Sequence, residues 1–480
     1  MAVILRVLGA LMMLFSLTMV PPICIALATG DGEWTTFVYA MLVIVGGGLA
    51  LWLPVRNERR DLRARDGFLV VTLFWVVLAG SGAVPLIFGL SPHLAVADAF
   101  FEAMSGLTTT GATVLSHIDD LPPSILYYRQ QLNWLGGMGI IVLAVAVLPM
   151  LGVGGMQLYR AETPGPVKDA KLTPRIAETA KALWAIYMTI TVACALLFWL
   201  GGMSLFDAVG HSFSVLATGG FSPHGASMAY YDRPVLDWIG TVFMYIAGAN
   251  FALHFTAWRN RDLRTFFRDP EFKFYTGVVV VGTLIVSSIL IYTGRYDVAD
   301  SFRHGAFQVA TFSSSTGLTT TDYYHWHGML PALLMFISII GGCAGSTAGG
   351  IKAIRVLMLL KQGYRELLRL IHPRGHFEVK LEDRVVDDRI TSAVWGFFAT
   401  YMAVFGIAML LLMQDGLDQI TAFSAVAACI NNLGIAFGSV AQGFGHLSTG
   451  AKWLLSLLML MGRLEVFTVL VLFTPAFWRR

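Results

Sequence analysis

Hydrophobic and polar positions alternate along this chain on the scale of whole helices. Apolar runs of about 20 residues, the length a helix needs to cross roughly 30 Å of hydrocarbon, fall at about 5–28, 37–55, 67–90, 131–153, 182–201, 235–257, 275–293, 329–360, 393–413 and 451–474. Each predicts a membrane-spanning helix. The first run is longer than the usual 7–15-residue core of a secretory signal, and a second span follows at once, so it reads as retained.

Composition agrees with this pattern. Of 480 residues 56% are hydrophobic and 13% charged, against about 25% charged in soluble domains; mean hydropathy is +0.68. The expected fold is an all-α polytopic membrane protein. A net charge of +3 decides little, but its distribution does: cations collect in 56–65, 159–181, 259–273 and 352–389 and at Arg479-Arg480. By the positive-inside bias these segments and both termini are cytoplasmic. Nucleic acid is not an expected partner, because each cationic run abuts a span. Cys24, Cys194, Cys343 and Cys429 show neither CxxC nor Cys/His spacing and read as small apolar packing residues.

Four shorter segments sit between the spans: "VADAFFEAMSGLTTTGAT", "LFDAVGHSFSVLATGGFS", "VADSFRHGAFQVATFSSSTGLTTTD" and "LDQITAFSAVAACINNLGIAFG". Each begins near an aspartate suited to an N-cap (Asp98, Asp207, Asp300, Asp418), continues as a weakly apolar helix and reaches a glycine: Gly111, Gly219, Gly317 or Gly434. The repeating unit is span, re-entrant half-helix, extended tract, span. Every unit crosses twice, so the four copies are parallel and related by rotation about the membrane normal, unlike inverted-repeat transporters.

Non-helical backbone at membrane depth is tolerated only where it is buried or lines water. Four helix–pore-loop–helix repeats around a pseudo-fourfold pore satisfy that condition. A cation shedding its water needs replacement oxygens, which rings of backbone carbonyls supply. Glycine permits the backbone angles that aim carbonyls one way. For one copy alone, a helix-terminating glycine explains the pattern equally well; four copies at matching places favour the pore.

Two further stretches stand out. "GGCAGSTAGGIKAIR" (341–355) packs glycines into a predicted span, each costing a helix about 1 kcal/mol relative to alanine. It is not a phosphate loop, since Ile351 stands where lysine is required; by itself it reads as a kinked, closely packed inner helix or a broken segment. Arg463 lies inside the last span, where a guanidinium costs roughly 2.5–3.5 kcal/mol, so it needs protein or water around it and a partner. Glu465, two residues on, belongs to a different helical face. Asn133, Asn250 and His254 read as inter-helix hydrogen-bonding groups, and His211 and His304 as structural. The tracts offer no convergent titratable groups, which argues against an enzyme; a non-transporting scaffold is the remaining alternative class.

The passages "LTTTGATVL", "QLNWLGGMGIIVLAVAVLPMLGVGGMQLYRAE", "LATGGFS", "GANFALHF", "SSSTGLTTTDY", "GGCAGSTAGGIK" and "MLMGRLEVF" resemble the Trk/Ktr/HKT superfamily of potassium transporters, most closely its TrkH/TrkG branch. The resemblance covers essentially the whole chain, including an extra N-terminal helix pair. It implies repeats over 59–165, 166–268, 269–380 and 381–480 after that pair at 1–58. It implies a filter of Thr109, Thr110, Gly111 and Ala112; Ala217, Thr218, Gly219 and Gly220; Ser315, Thr316, Gly317 and Leu318; and Asn432, Leu433, Gly434 and Ile435. K+ would sit at Thr110, Gly111, Thr218, Gly219, Thr316, Gly317, Leu433 and Gly434.

One glycine per copy, where potassium channels have TVGYG, implies fewer shaped sites. All four glycines favour K+, with a Na+-permeable transporter of the same fold as the alternative. The resemblance makes Gly345, Ser346, Thr347, Gly349 and Gly350 an intramembrane gate, with Lys352 at its cytoplasmic end and Arg463 as a positive barrier. It further implies K+ uptake across a bacterial inner membrane, by channel or proton symport. The protein would have no organic cofactor of its own, form a homodimer and work with a cytosolic nucleotide-binding ring of the TrkA type.

Overall fold

The structure, a computed structural model, describes residues 2–57, 64–142, 176–382 and 384–479. The far end of the expected 131–153 span, and most of the cationic segments 56–65 and 159–181, lie outside them. Helix makes up most of the described residues. Among the described residues its strands amount to one hairpin pairing Lys380–Leu381 with Arg384–Val385.

Helices α1 (Ala2–Ser16), α2 (Val20–Thr29) and α3 (Trp34–Trp52) form the N-terminal pair of spans. A Cβ on Gly9 would lie 2.6 Å from the Gly48 carbonyl oxygen, and one on Gly48 2.8 Å from that of Gly9. Lipid offers helices no hydrophobic driving force, so contact of this kind holds them together. The pair rests on α4 (Ala64–Phe88).

From α4 onward one order of elements recurs. It comprises α4, half-helix α5 (Val96–Leu107) and α6 (Pro123–Val142); then α7 (Ile176–Leu200), half-helix α8 (Leu205–Ala217), α9 (Pro234–Ala247) and α10 (Phe251–Asn260). The short α11 (Arg264–Arg268) leads to α12 (Pro270–Tyr292), half-helix α13 (Val298–Ser313), α14 (Leu330–Ile340) and α15 (Ala353–Ile371). The last set is α16 (Asp388–Gln414), half-helix α17 (Gln419–Ile430), α18 (Thr449–Leu464) and α19 (Val466–Leu470).

Three expected spans are not continuous. The 235–257 span bends by 93° between α9 and α10, where the Asn250 Oδ1 accepts the Ala252 amide at 2.8 Å and starts a new helix. The 451–474 span bends by 116° after α18, at Glu465 with φ 68°. The 329–360 span stops at Gly341, φ 72°, and an irregular loop continues to Lys352. Hydropathy averaged over a span length passes across such breaks.

The half-helix starts also differ from expectation. Asp418 is an N-cap, accepting the Ile420 and Thr421 amides, but the other caps are Ala95, Ser204 and Asp297. Asp98, Asp207 and Asp300 stand three residues further in, where the positive helix end favours a carboxylate. Each also meets a basic group: Lys452 at 2.5 Å, His224 at 3.4 Å and Arg303 at 3.1 Å respectively. Cys194, Cys343 and Cys429 are buried, whereas Cys24 is exposed and does not pack as expected.

Candidate ion pathway

All four half-helices end in the same way. Thr109, Thr218, Ser315 and Asn432 take left-handed φ values of 52°, 53°, 52° and 52°. Their amides bond three residues back, and the next amides bond five residues back: Thr110 to Ser105, Gly219 to Ser214, Thr316 to Thr311 and Leu433 to Ala428, each at 2.8 Å. This double closure is the Schellman termination, made with Thr, Ser or Asn where glycine is usual. The tract glycines are therefore not the caps.

Two residues beyond each cap stands a glycine with positive φ: Gly111 (82°), Gly220 (75°), Gly317 (83°) and Gly434 (81°). The second copy is thus shifted by one from the register read in the sequence. Gly220, not Gly219, is the equivalent of Gly111, and Gly219 stands with Thr110, Thr316 and Leu433. Ala217, expected in the tract, is the last residue of α8.

These glycines close a ring. A Cβ on Gly111 would fall 2.3 Å from the Gly219 carbonyl oxygen, one on Gly220 2.4 Å from that of Thr316, one on Gly317 2.2 Å from that of Leu433, and one on Gly434 2.1 Å from that of Thr110. Each copy approaches the next, and the fourth returns to the first. Four equivalent carbonyls, of Thr110, Gly219, Thr316 and Leu433, are brought together with no charged side chain among them. The half-helices direct their C-terminal ends, each worth about half a negative charge, at the same place. Ala112 and Leu318 are buried beside the ring, and Ile435 is half-buried.

Support behind the ring is not fourfold. The Thr108 and Thr110 hydroxyls pair at 2.8 Å, and those of Ser314 and Thr316 at 2.7 Å. In the second copy Gly219 has no side chain, and Asn133 of α6 fills the space, its Cγ 2.5 Å from where a Cβ would be. Asn133 is fully buried, and its amide has no hydrogen-bond partner among the described residues. In the fourth copy the Asn432 Nδ2 donates to the Thr110 Oγ1 at 3.0 Å and the Met459 carbonyl at 2.9 Å.

Each half-helix also clamps its own returning strand. Glu102, buried and paired with Arg129 at 2.8 Å, accepts the Val114 amide at 2.9 Å. His211 meets Ser222, His304 meets Thr320, and Ser424 accepts the Phe437 amide. The two histidines are structural here. His254 bonds the Ile246 carbonyl across the α9–α10 bend, at 3.0 Å, so it and Asn250 act locally rather than between spans.

Directly against the half-helix ends lies the loop 341–352. The Thr347 Oγ1 donates to the Leu216 carbonyl at 3.0 Å, and the Gly349 amide donates to the Ser315 Oγ at 2.5 Å. A Cβ on Gly349 would meet the Asn431 carbonyl oxygen at 1.9 Å. The loop so touches three of the four copies. Gly345 and Gly350 take φ of 76° and 79°, the Ser346 Oγ donates to the Cys343 carbonyl at 2.6 Å, and the Lys352 ammonium donates to the Ala348 carbonyl.

Arg463 is buried and donates to the Thr347 carbonyl at 2.7 Å and the Gly136 carbonyl at 3.5 Å. Its partners are backbone oxygens, while Glu465 pairs with Arg355 of α15 at 2.5 Å. A residue not singled out in the sequence completes the site. Glu271, buried in the first turn of α12, accepts the Ala344 amide at 2.5 Å and the Ile354 amide at 3.3 Å. A carboxylate at the mouth of a span is the one signal that pointed to it.

Helical spans, a central ring of carbonyls and a polar loop packed against it define a membrane transport protein for cations. The chain belongs to the TrkH family of cation transport proteins, which it matches over residues 35–480; it is a transporter and not an enzyme. It is 52% identical to the Trk system potassium uptake protein TrkH of Halomonas elongata, over 99% of both chains. It is 40% identical to the Trk system potassium uptake protein TrkG of Escherichia coli, over 98% of this chain and 97% of that one. The crystal structure of the potassium transporter TrkH from Vibrio parahaemolyticus superposes with a TM-score of 0.92 at 48% identity, covering 100% of this chain and 99% of the other.

Proposed function

We propose that this chain is the K+-translocating subunit of a Trk-type uptake system, with the carbonyl ring as its filter and the loop 341–352 with Arg463 as its gate. The observation that carries the reading is the closed approach of each tract glycine to the next copy's carbonyl. A dehydrated cation takes its oxygens from such a ring, and half-helix C-termini around it favour positive charge. Close packing holds the carbonyls apart, which disfavours an ion that needs them nearer. The names of the relatives, potassium uptake proteins at up to 52% identity, point to the same ion.

On this reading the filter residues are Thr109 to Ala112, Thr218 to Phe221, Ser315 to Leu318 and Asn432 to Ile435. The guanidinium held at the Thr347 carbonyl opposes a cation leaving the ring. A cytosolic nucleotide-regulated ring of the TrkA type acts on the gate through the cationic segment that includes α15. The protein is a homodimer in a bacterial inner membrane, with both termini and the cationic loops cytoplasmic.

Purified protein in liposomes, with external ions replaced in turn, tests the proposal. K+ flux exceeding Na+ flux is expected; absence of cation flux would refute it. Unequal support behind the ring, hydroxyl pairs in two copies only, favours a second reading with mixed K+/Na+ permeation, and equal K+ and Na+ fluxes would select it.

A further inference from the structure

Where α10 turns away from α9, a cleft of about 450 Å³ opens, within the roughly 300–1,000 Å³ of small-molecule sites. Its walls include Ile190 and Ala193 of α7, Phe243 and Ile246 of α9, Phe266 of α11 and Phe272 of α12. The polar lining groups are engaged elsewhere: His254 turns its Nε2 to the Ile246 carbonyl, the Thr189 Oγ1 donates to the Ala185 carbonyl and the Tyr245 hydroxyl pairs with that of Thr276, so the interior is apolar in effect. Bilayer-length helices α7 and α12 flank it.

The segment beside the cleft has opposite chemistry. Arg261, Arg264 and Arg268 are exposed, and among the described residues none has a carboxylate partner. Leu263 and Phe267 stand between them and Trp258 just before them, 73%, 67% and 73% exposed respectively. Aromatic and cationic side chains interleaved at the end of a span belong at the membrane–water interface.

We infer that the cleft is a binding site for an anionic phospholipid, with an acyl chain between α7 and α9 and the phosphate headgroup on Arg261, Arg264 and Arg268. Three cations without carboxylate partners, on the segment that supplies Phe266 to the cleft wall, select a net negative headgroup over a zwitterionic one. The lipid seats against the elbow that carries the loop: the Cys343 amide donates to the Gly248 carbonyl at 2.8 Å, and the Phe251 amide to the Gly345 carbonyl at 3.0 Å. A filled cleft stiffens that elbow and, with it, the loop. This last step rests on the loop being the gate, as proposed above; binding does not.

Native mass spectrometry of the purified full chain with phosphatidylglycerol and with phosphatidylcholine of the same acyl chains tests the site. Preferential retention of phosphatidylglycerol is expected. The triple variant Arg261→Gln, Arg264→Gln, Arg268→Gln should lose it by roughly fivefold per arginine, the worth of one basic side chain at an anionic surface. Ala193→Phe, at an exposed position of α7, should fill the cleft and lower retention of the lipid while leaving the arginines in place. Equal retention of both lipids by the parent chain would overturn the headgroup assignment. Undiminished retention by Ala193→Phe would overturn the cleft. In liposomes, phosphatidylglycerol should alter K+ flux through the parent chain and not through either variant; selective binding with no flux response would overturn the coupling alone.

Discussion

The carbonyl ring and the loop packed against it are built on different principles. The ring repeats one backbone four times, each tract closed by amide bonds to its own half-helix and spaced by a glycine that leaves no room for a side chain. The loop occurs once and is held by a few contacts: the side chains of Ser315 and Glu271 from its own copy and of Arg463 from the fourth, with two backbone bonds to the α9–α10 elbow. Repetition produces a rigid site with nearly equivalent sides. A part fastened by a few side chains can be released without disturbing that site. Selectivity and flux should therefore be separable by substitution.

The largest expected effect on selectivity is on the ring. Gly111→Ser combines a positive φ with a collision at the Gly219 carbonyl, and should reduce the K+/Na+ flux ratio at least about tenfold, equivalent to about 1.4 kcal/mol. Gly220→Ala should be comparably damaging, because it meets the Thr316 carbonyl. Gly219→Ala meets the Asn133 side chain first, not a ring carbonyl, and should do less. Adding Asn133→Ala should relieve most of it, removing the Cγ and Nδ2 collisions and leaving the Cβ contact at 2.9 Å, and so give a favourable coupling in a double-mutant cycle. Greater damage from Gly219→Ala than from Gly220→Ala would return the second copy to the register read from the sequence.

Next comes Arg463→Ala. Two unit charges about 4 Å apart repel by roughly 4 kcal/mol at an effective dielectric of 20, so K+ flux in the absence of any partner should rise by up to about a thousandfold. The K+/Na+ ratio should stay near that of the parent. A changed ratio with unchanged flux would place Arg463 in the filter's support instead.

Glu271→Gln should act on the same loop more gently. It weakens the charge-assisted bonds from the Ala344 and Ile354 amides, each of a kind worth about 1.5–3 kcal/mol. Flux should rise severalfold, with a lower midpoint of thermal unfolding in detergent and unchanged selectivity.

The smallest effect belongs to Ser204→Ala. It removes the cap from α8, bonded to the Asp207 amide at 3.0 Å, and should lower stability by about 1 kcal/mol while flux and selectivity persist. A selectivity change here would mean that half-helix position is coupled to the ring more tightly than the closure bonds imply.

The sequence carried the repeat because its spans, half-helices and glycines recur at readable intervals, and it singled out Arg463 because a cation inside an apolar run is costly. It did not carry the register of the second copy: Gly219 and Gly220 are adjacent, and only the left-handed Thr218 separates their roles. Nor did it separate an N-cap from a residue one turn inside the helix. Asp207 looked like the cap until Ser204, three residues earlier, proved to hold that place. The breaks after α9 and α18 were hidden because apolar residues continue across them, whereas the glycines of 341–350 marked the one after α14. Glu271 was hidden because one carboxylate beside a cationic loop resembles an ordinary interfacial charge.

On the function proposed above, the cation site is the ring formed by the Thr110, Gly219, Thr316 and Leu433 carbonyls. Crystals grown in Rb+, a heavier stand-in for K+, allow the ion to be located by anomalous diffraction. A peak is expected on the axis between these four oxygens, lost in Gly111→Ser crystals that otherwise retain the fold. A well-ordered ring without a Rb+ peak, or a peak at that place that survives Gly111→Ser, would contradict it.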